Sequence, residues 1–401
     1  MDKFWPLMKD IITEDDKNKM IDFIKSTNRF TNGVKCKEFE KAWSSWLGCK
    51  HSLFTSSGST ANYLLISAMK DLYGLKPGDK VIVPSMTWVT NIGPIIQLGL
   101  EPIFCDVNTF DFSFDSDSLA KIRKDHNDIK MIWITHLFGI TADIDSYKKL
   151  FPEALIAEDV CESHGCEIDG RKCGVEGEGG TFSFYFGHHM TTVEGGMVST
   201  NNTELYELMR AKRSHGLSRE MSQEHQNKYK SEYPDVHPQF LFITDGYNFR
   251  NMEINAVLGL NQLKQLDSSI VDRKLNFSRF LKLLSRYPKH FNVDFKVDGN
   301  SSFVLPFICI NESLKVELEE YLASNGMETR PLCSGNLLRQ PFLKYLNLDP
   351  RTFKHSEKMH FNGFYVGNNH LITEEEWVEF ELLLTKFMFP RYLMPITPER
   401  S

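Results

Sequence analysis

Between residues 50 and 200 short β-rich runs alternate with helical patterns, and this alternation constrains the fold more than any other feature of the chain. The β-rich runs lie at about 52–55, 80–84, 102–107, 131–136, 155–159, 181–186 and 197–200. Strands separated by helices need crossover connections, so the pattern implies an α/β fold with an open, largely parallel sheet and helices on both faces. Ligands in such sheets gather in loops beyond the strand ends, which is where candidate site residues are sought.

The flanking sequence fits around this sheet. Thr13-Glu14-Asp15-Asp16 is a capped helix start, because short polar side chains and acids satisfy the exposed amides of a first turn, and the helix should run to about residue 26. A second helix is expected over 34–47, and a strongly apolar one over 252–266. Residues 217–240 are polar and hold Pro234 and Pro238, which reads as a surface excursion near the site. A chain of 401 residues exceeds one typical core. The expected division is a large domain over 1–267 and a smaller C-terminal α/β domain over 268–401.

The longest apolar runs have strand length and fall far short of a membrane span, and Met1-Asp2-Lys3-Phe4-Trp5-Pro6 lacks the basic and apolar regions of a secretion signal. No membrane association and a cytoplasmic location are the expectations. A net charge of -7 argues against a general nucleic-acid surface, so an anionic ligand must be met by local positive groups. The eight cysteines contain no CxxC pair, and Cys161, Cys166 and Cys173 are spaced unlike iron–sulfur or zinc ligands. Reduced, packed thiols are expected, with no metal and no iron–sulfur cluster.

Several segments carry chemistry. Ser57-Gly58-Ser59 lies between a strand and an apolar helix, where backbone amides and the helix dipole favour a phosphate; a serine-rich helix cap explains the same residues. Trp88 follows a strand closely and can stack on a flat ring, although a lone tryptophan is more often core. Asp159 and Glu162 sit at the end of the 155–159 strand; an acid there can hold a ring nitrogen protonated or cap a helix. Arg219 and Arg250 offer forked donors to anionic groups, as surface ion pairs also do. The stretch 329–341 is polar and proline-bounded, hence a loop, with or without a ligand.

Seven blocks, in order from about residue 30 to 341, make the chain resemble the vitamin B6-dependent sugar-nucleotide aminotransferases and dehydratases of the aspartate aminotransferase superfamily. The blocks include Ser56-Ser57-Gly58-Ser59-Thr60-Ala61, the segment around Trp88, Ala157-Glu158-Asp159, Ser183-Phe184-Tyr185-Phe186-Gly187-His188, Arg213-Ser214-His215-Gly216 and Tyr247-Asn248-Phe249-Arg250. The resemblance implies fold type I and a pyridoxal phosphate or pyridoxamine phosphate cofactor. It implies that Ser57, Gly58, Ser59 and Ser183 face the phosphate, Trp88 and Asp159 the pyridine ring, and Glu162 the phenolic oxygen, where relatives carry glutamine. Asn248 would reach the cofactor of a neighbouring subunit, implying a homodimer with shared sites. His215, Arg219, Arg250, Arg330, Asn336 and Arg339 are the implied substrate contacts.

The decisive departure is His188, which stands where the family has the cofactor-binding lysine. A primary amine condenses with an aldehyde to a stable Schiff base, whereas a ring imidazole cannot; it can exchange a proton near neutral pH. His188 rather than His189 aligns with the lysine. The exchange resembles that of the cluster-free sugar 3-dehydratases, which implies loss of the C3 hydroxyl from a nucleotide-linked 4-keto-6-deoxy sugar, GDP-4-keto-6-deoxy-D-mannose by resemblance alone. L-glutamate would restore the amine form of the cofactor, with ammonia released, in deoxysugar (colitose, O-antigen) synthesis. A 4-aminotransferase and a catalytically silent cofactor-binding regulator are the rival readings.

Overall fold

A computed structural model describes residues 3–392; the first two residues of the expected large domain and the last nine of the small one lie outside the described residues. The strands β1 (His51–Thr55), β2 (Lys80–Pro84), β3 (Glu101–Cys105), β4 (Ile129–Thr135) and β5 (Leu155–Asp159) are followed by a short hairpin, β6 (Glu167–Ile168) and β7 (Arg171–Lys172). Then come β8 (Gly179–Ser183) and β9 (Gly196–Thr200). Seven of them form one sheet in the order β1-β9-β8-β5-β4-β2-β3. Its pairs from β8 to β3 are parallel, and β9 pairs antiparallel with both β8 and β1.

Side-chain alternation explains how this sheet is covered twice. Val81, Val83, Met131 and Trp133 face the helix Gly58–Leu72 through Leu64, Leu65 and Met69. Ile82, Ile132, Ile134 and Ile156 face the other way, against Leu119, Ile122, Ile144 and Tyr147. Each fully buried residue of this kind stabilises the fold by roughly 1.5–3 kcal/mol, so the continuous apolar runs of β2 and β4 are the signature of strands with no wet face.

A second sheet, β10 (Val304–Ile308), β11 (Thr329–Pro331) and β12 (Gly363–Gly367), is antiparallel in the order β10-β12-β11. Its core stacks Phe307 on Phe364 at 4.7 Å, with Phe280 and Phe380 packed around them. Trp5 belongs to this second core: its indole donates to the Gly367 carbonyl at 2.9 Å, and its backbone pairs with Met327. The N-terminal segment therefore crosses back onto the last third of the chain before the helix Glu14–Ser26 begins. That helix opens on a reciprocal cap between Thr13 and Asp16, at 3.2 and 2.8 Å.

Two expectations are corrected. The apolar stretch 252–266 is one helix only over Glu253–Gln262; a 3₁₀ turn, Leu263–Gln265, separates it from a second helix, Leu266–Leu284. The tighter turn rephases the stripe, so Leu266 and Ile270 meet the core around Phe39 and Trp43 while Phe277 and Phe280 serve the second core. Thr329–Pro331 is a strand rather than loop, and its place at the sheet edge is what tolerates Pro331.

Candidate active site

The ends of β1, β5 and β8 meet the start of the helix Gly58–Leu72. Ser57 caps that helix: its hydroxyl accepts the Thr60 N–H at 3.1 Å, and the Thr60 hydroxyl accepts the Ser57 N–H at 3.0 Å. The cap leaves the first-turn amides and the positive dipole end free for an anion. Two glycines let the strands close on this turn. A Cβ on Gly58 would lie 2.6 Å from the Ser183 Cβ, and one on Gly196 would lie 2.2 Å from the Ser57 carbonyl oxygen. The result is a tightly closed backbone turn at the helix start.

Asp159, at the end of β5, is 4% exposed. One carboxylate oxygen accepts from Asn62 Nδ2 at 2.9 Å and the other from the Cys161 N–H at 2.8 Å. The Thr181 hydroxyl donates to Asn62 Oδ1 at 2.6 Å and so fixes which end of the amide meets the acid. Burial raises the Asp159 carboxyl above its usual range, and the Cys161 and Asn62 contacts offset part of that. Glu162 accepts the Phe138 N–H at 3.2 Å; burial pushes its carboxyl up to about 7, with the nearby Asp159 adding to the effect. An acid that titrates near neutrality stands beside one held in place by a fixed amide.

His188 and His189 part company. His189 is buried, with Nε2 at 3.1 Å from the Ser301 carbonyl, which makes it a packed residue. The His188 ring lines the cavity and stacks on Phe303 at 5.3 Å and 21°. Its Nδ1 is sealed without a hydrogen-bond partner. Burial first, then the charge of Arg273, pull its proton affinity down to about 4, against the upward pull of the Cys161 carbonyl. At neutral pH it is an uncharged base.

One cavity of about 600 Å³ is lined by Ser57, Gly58, Ser59, Trp88, Asp159, Glu162, Ser183 and His188 together. Trp88 is 55% exposed and forms an open flank rather than core. Of the expected substrate contacts, Arg330 lines the cavity. His215 is exposed, Arg219 donates to the Gln239 carbonyl at 3.3 Å, and Arg250 pairs with Thr55; none of them borders it. Asn248 pairs with Ser214 and is exposed outside the cavity. Asn336 is buried and donates to Glu357 at 2.8 Å, and Arg339 grips the same carboxylate at 2.8 and 2.5 Å, so both hold their loop together.

Sequence reasoning missed much of the remaining wall: Leu7 and Met8 from the N-terminal segment, Phe303, Glu328 and Tyr365. The contact of Asn62 with Asp159 carries no mark in the sequence. Cys166 and Cys173 come together with His136, their ligand atoms within 4.8 Å of one another. His136 is already engaged on both sides, accepting the Ala142 N–H at Nδ1 (3.1 Å) and meeting Glu158 at Nε2 (3.2 Å), which suits a structural pair better than a metal ligand.

Residues 10–379 match the DegT/DnrJ/EryC1/StrS aminotransferase family. The chain belongs to that family. Among relatives of known role within this aminotransferase family, the GDP-4-keto-6-deoxy-D-mannose 3-dehydratase of Yersinia pseudotuberculosis is 33% identical, over 93% of this chain and 96% of its own. The structure of the E. coli GDP-4-keto-6-deoxy-D-mannose-3-dehydratase with bound hydrated PLP superposes with a TM-score of 0.88 at 29% identity, covering 96% of this chain and 100% of that one. A GDP-4-keto-6-deoxymannose-3-dehydratase with a trapped PLP-glutamate geminal diamine gives 0.84 at 28% identity, covering 94% and 100%. The mostly parallel mixed sheet between helices is thus that of fold type I, and its cavity has a histidine on the wall and no lysine among the described residues lining it.

Proposed function

We propose that this protein is a pyridoxal phosphate-dependent dehydratase that removes the C3 hydroxyl of GDP-4-keto-6-deoxy-D-mannose, leaving a 4-keto-3,6-dideoxy sugar, with L-glutamate as amino donor and ammonia released. The observation that carries this reading is the imidazole of His188 on the wall of a cavity that no lysine of the described residues borders. Amine transfer by this family needs a primary amine on the wall to release its product; an imidazole supplies proton transfer alone. The relatives at comparable length and fold carry the same activity in their names, which supports the choice of sugar nucleotide.

The residues present fit the cofactor. The Ser57–Ser59 turn and Ser183 would hold its phosphate, Trp88 would cover one ring face, and Asp159 would pair with the pyridine nitrogen, its carboxylate kept in register by Asn62. When bound, the cofactor supplies an electron sink for the bonds next to the sugar's C4. His188 takes up a proton at Nε2, since Nδ1 is sealed, and returns it to the departing C3 hydroxyl. A positioned base of this kind contributes about 10²–10⁴-fold in rate. Its low proton affinity makes the protonated ring a strong acid for that second step. Glu162, titrating near neutrality, would share a proton beside the cofactor's phenolic oxygen.

The same reading takes the enzyme as a homodimer with shared sites. Asn248, His215, Arg219 and Arg250 lie outside their own cavity, which supports a role for them at a partner's, while Arg330 would meet the substrate within the chain. Residues 1–267 are taken as the cofactor-binding domain and 268–401 as the smaller one. The test is to incubate the purified protein with pyridoxal phosphate, L-glutamate and GDP-4-keto-6-deoxy-D-mannose, following product mass and ammonia. Loss of one oxygen with ammonia released, abolished in His188→Asn, is the expected result; a product carrying a new amine makes the protein an aminotransferase.

A further inference from the structure

Beside Phe303 and His188 lies a charge with no counter-ion among the described residues. Arg273, on the helix Leu266–Leu284, is 0% exposed. Its Nη1 donates to the carbonyls of Phe303 at 3.1 Å and Asn368 at 2.5 Å, while Nε and Nη2 have no hydrogen-bond partner. Burial alone pulls the guanidinium down to about 10, so it stays charged at neutral pH without a carboxylate to offset it. An unpaired buried cation is unfavourable and is retained where its field serves the site.

The surroundings show what the field acts on. Phe303, whose carbonyl Arg273 holds, stacks its ring on His188 at 5.3 Å and on His189 at 5.8 Å. His164 completes the group, 6.0 Å from His188 and 5.3 Å from His189 between ring centres. Both nitrogens of His164 and the Nδ1 atoms of His188 and His189 have no hydrogen-bond partner, so three imidazoles stand near one guanidinium with polar atoms left uncompensated. Protonating any of them would place a second cation near the guanidinium.

We propose that Arg273 is a positioning residue for His188: it fixes the Phe303 wall against the imidazole and supplies a permanent positive charge that keeps the ring in its neutral, proton-accepting form. The proposal rests on the reading of His188 as the acid–base group. Among the described residues, the other ionisable groups around the imidazole are His164 after β5, His189, Cys161, the carboxyls of Asp159 and Glu162, and, across the cavity, Tyr185, Glu194, Glu328, Arg330 and Tyr365. The charge that lowers the His188 proton affinity is that of Arg273, which acts in the same direction on His164 and His189.

The test is a histidine-ring NMR titration of the full chain without substrate, the His188 signal being assigned by its loss in His188→Asn. In the wild type this signal should stay in its neutral form down to pH 5.5. Arg273→Met should raise its midpoint by about one pH unit or more, a tenfold gain in proton affinity, and Arg273→Lys should leave it low. A wild-type midpoint near 6.5, or an Arg273→Met protein that folds and titrates as the wild type does, overturns the proposal. Should Arg273→Met fail to fold, Arg273→Gln, which keeps a donor for the Phe303 carbonyl without the charge, takes its place and should raise the midpoint in the same way; an unchanged midpoint there overturns the proposal. The titration is independent of turnover, so a failed dehydratase assay with the expected midpoints refutes the activity and not the role of Arg273.

Discussion

Glu162→Gln should stabilise the cofactor-free protein, and only at the alkaline end. The Glu162 carboxyl ordinarily titrates at 4.5 and is pushed by burial to about 7 in the fold. Between those values the folded chain holds a proton that the unfolded chain has released, so stability falls as pH rises through the window, and the whole loss is present above 7. Two and a half units correspond to about 3.4 kcal/mol. The side chain is only part-buried at the cavity wall, and water there screens the charge, leaving about 2 kcal/mol. Glutamine keeps an oxygen for the Phe138 N–H and never ionises. Scanning calorimetry of both proteins should give equal melting temperatures at pH 4.5 and a variant more stable by roughly 2–4 °C at pH 8, scaled for a chain of this size. A difference that does not change with pH, or a variant less stable at pH 8, would show that Glu162 is not held protonated by burial.

Other substitutions probe the frame of the site. Gly58→Ala places a methyl 2.6 Å from the Ser183 Cβ, and the forced separation should cost about 1–3 kcal/mol and weaken pyridoxal phosphate binding at least tenfold by absorbance titration. Trp88→Ala removes an exposed stacking surface and should lower cofactor affinity by about 0.5–1.5 kcal/mol with no change in urea stability. Glu158→Ala strips a fully buried carboxylate from His136 at 3.2 Å and from the N–H groups of Gly174, Glu176 and Gly177, and should lose about 3–5 kcal/mol in urea unfolding.

The elements that the sequence makes legible are those whose information is local. The continuous apolar runs of β2 and β4, the Thr13 cap and the helix Val34–Leu47 are each written in a few neighbouring residues. The residues named from the motifs around Ser57, Trp88, Asp159, Ser183 and His188 border one cavity because each follows a strand end. Arg273 and Phe303 carry no such mark: an arginine in a helix and a phenylalanine before a strand look ordinary until the fold sets both beside His188. Asn336 and Arg339 show the opposite limit, since a polar loop between prolines reads the same whether or not it meets a ligand, and only the fold shows that both grip Glu357. The break at Leu263–Gln265 was hidden because apolar spacing persists through a 3₁₀ turn.

The seating of Trp5 has a consequence for how the protein is made. Its indole waits for a carbonyl 362 residues further along, and the two residues that follow it on the cavity wall, Leu7 and Met8, lie on the same segment. During synthesis the segment around Trp5 therefore has no partner until Gly367 has emerged 362 residues later, and the cavity stays open on that side while the main sheet is already assembled. This segment is a late-fastening latch, and anything that holds it back in the cell, such as a bound chaperone, delays the site rather than the fold.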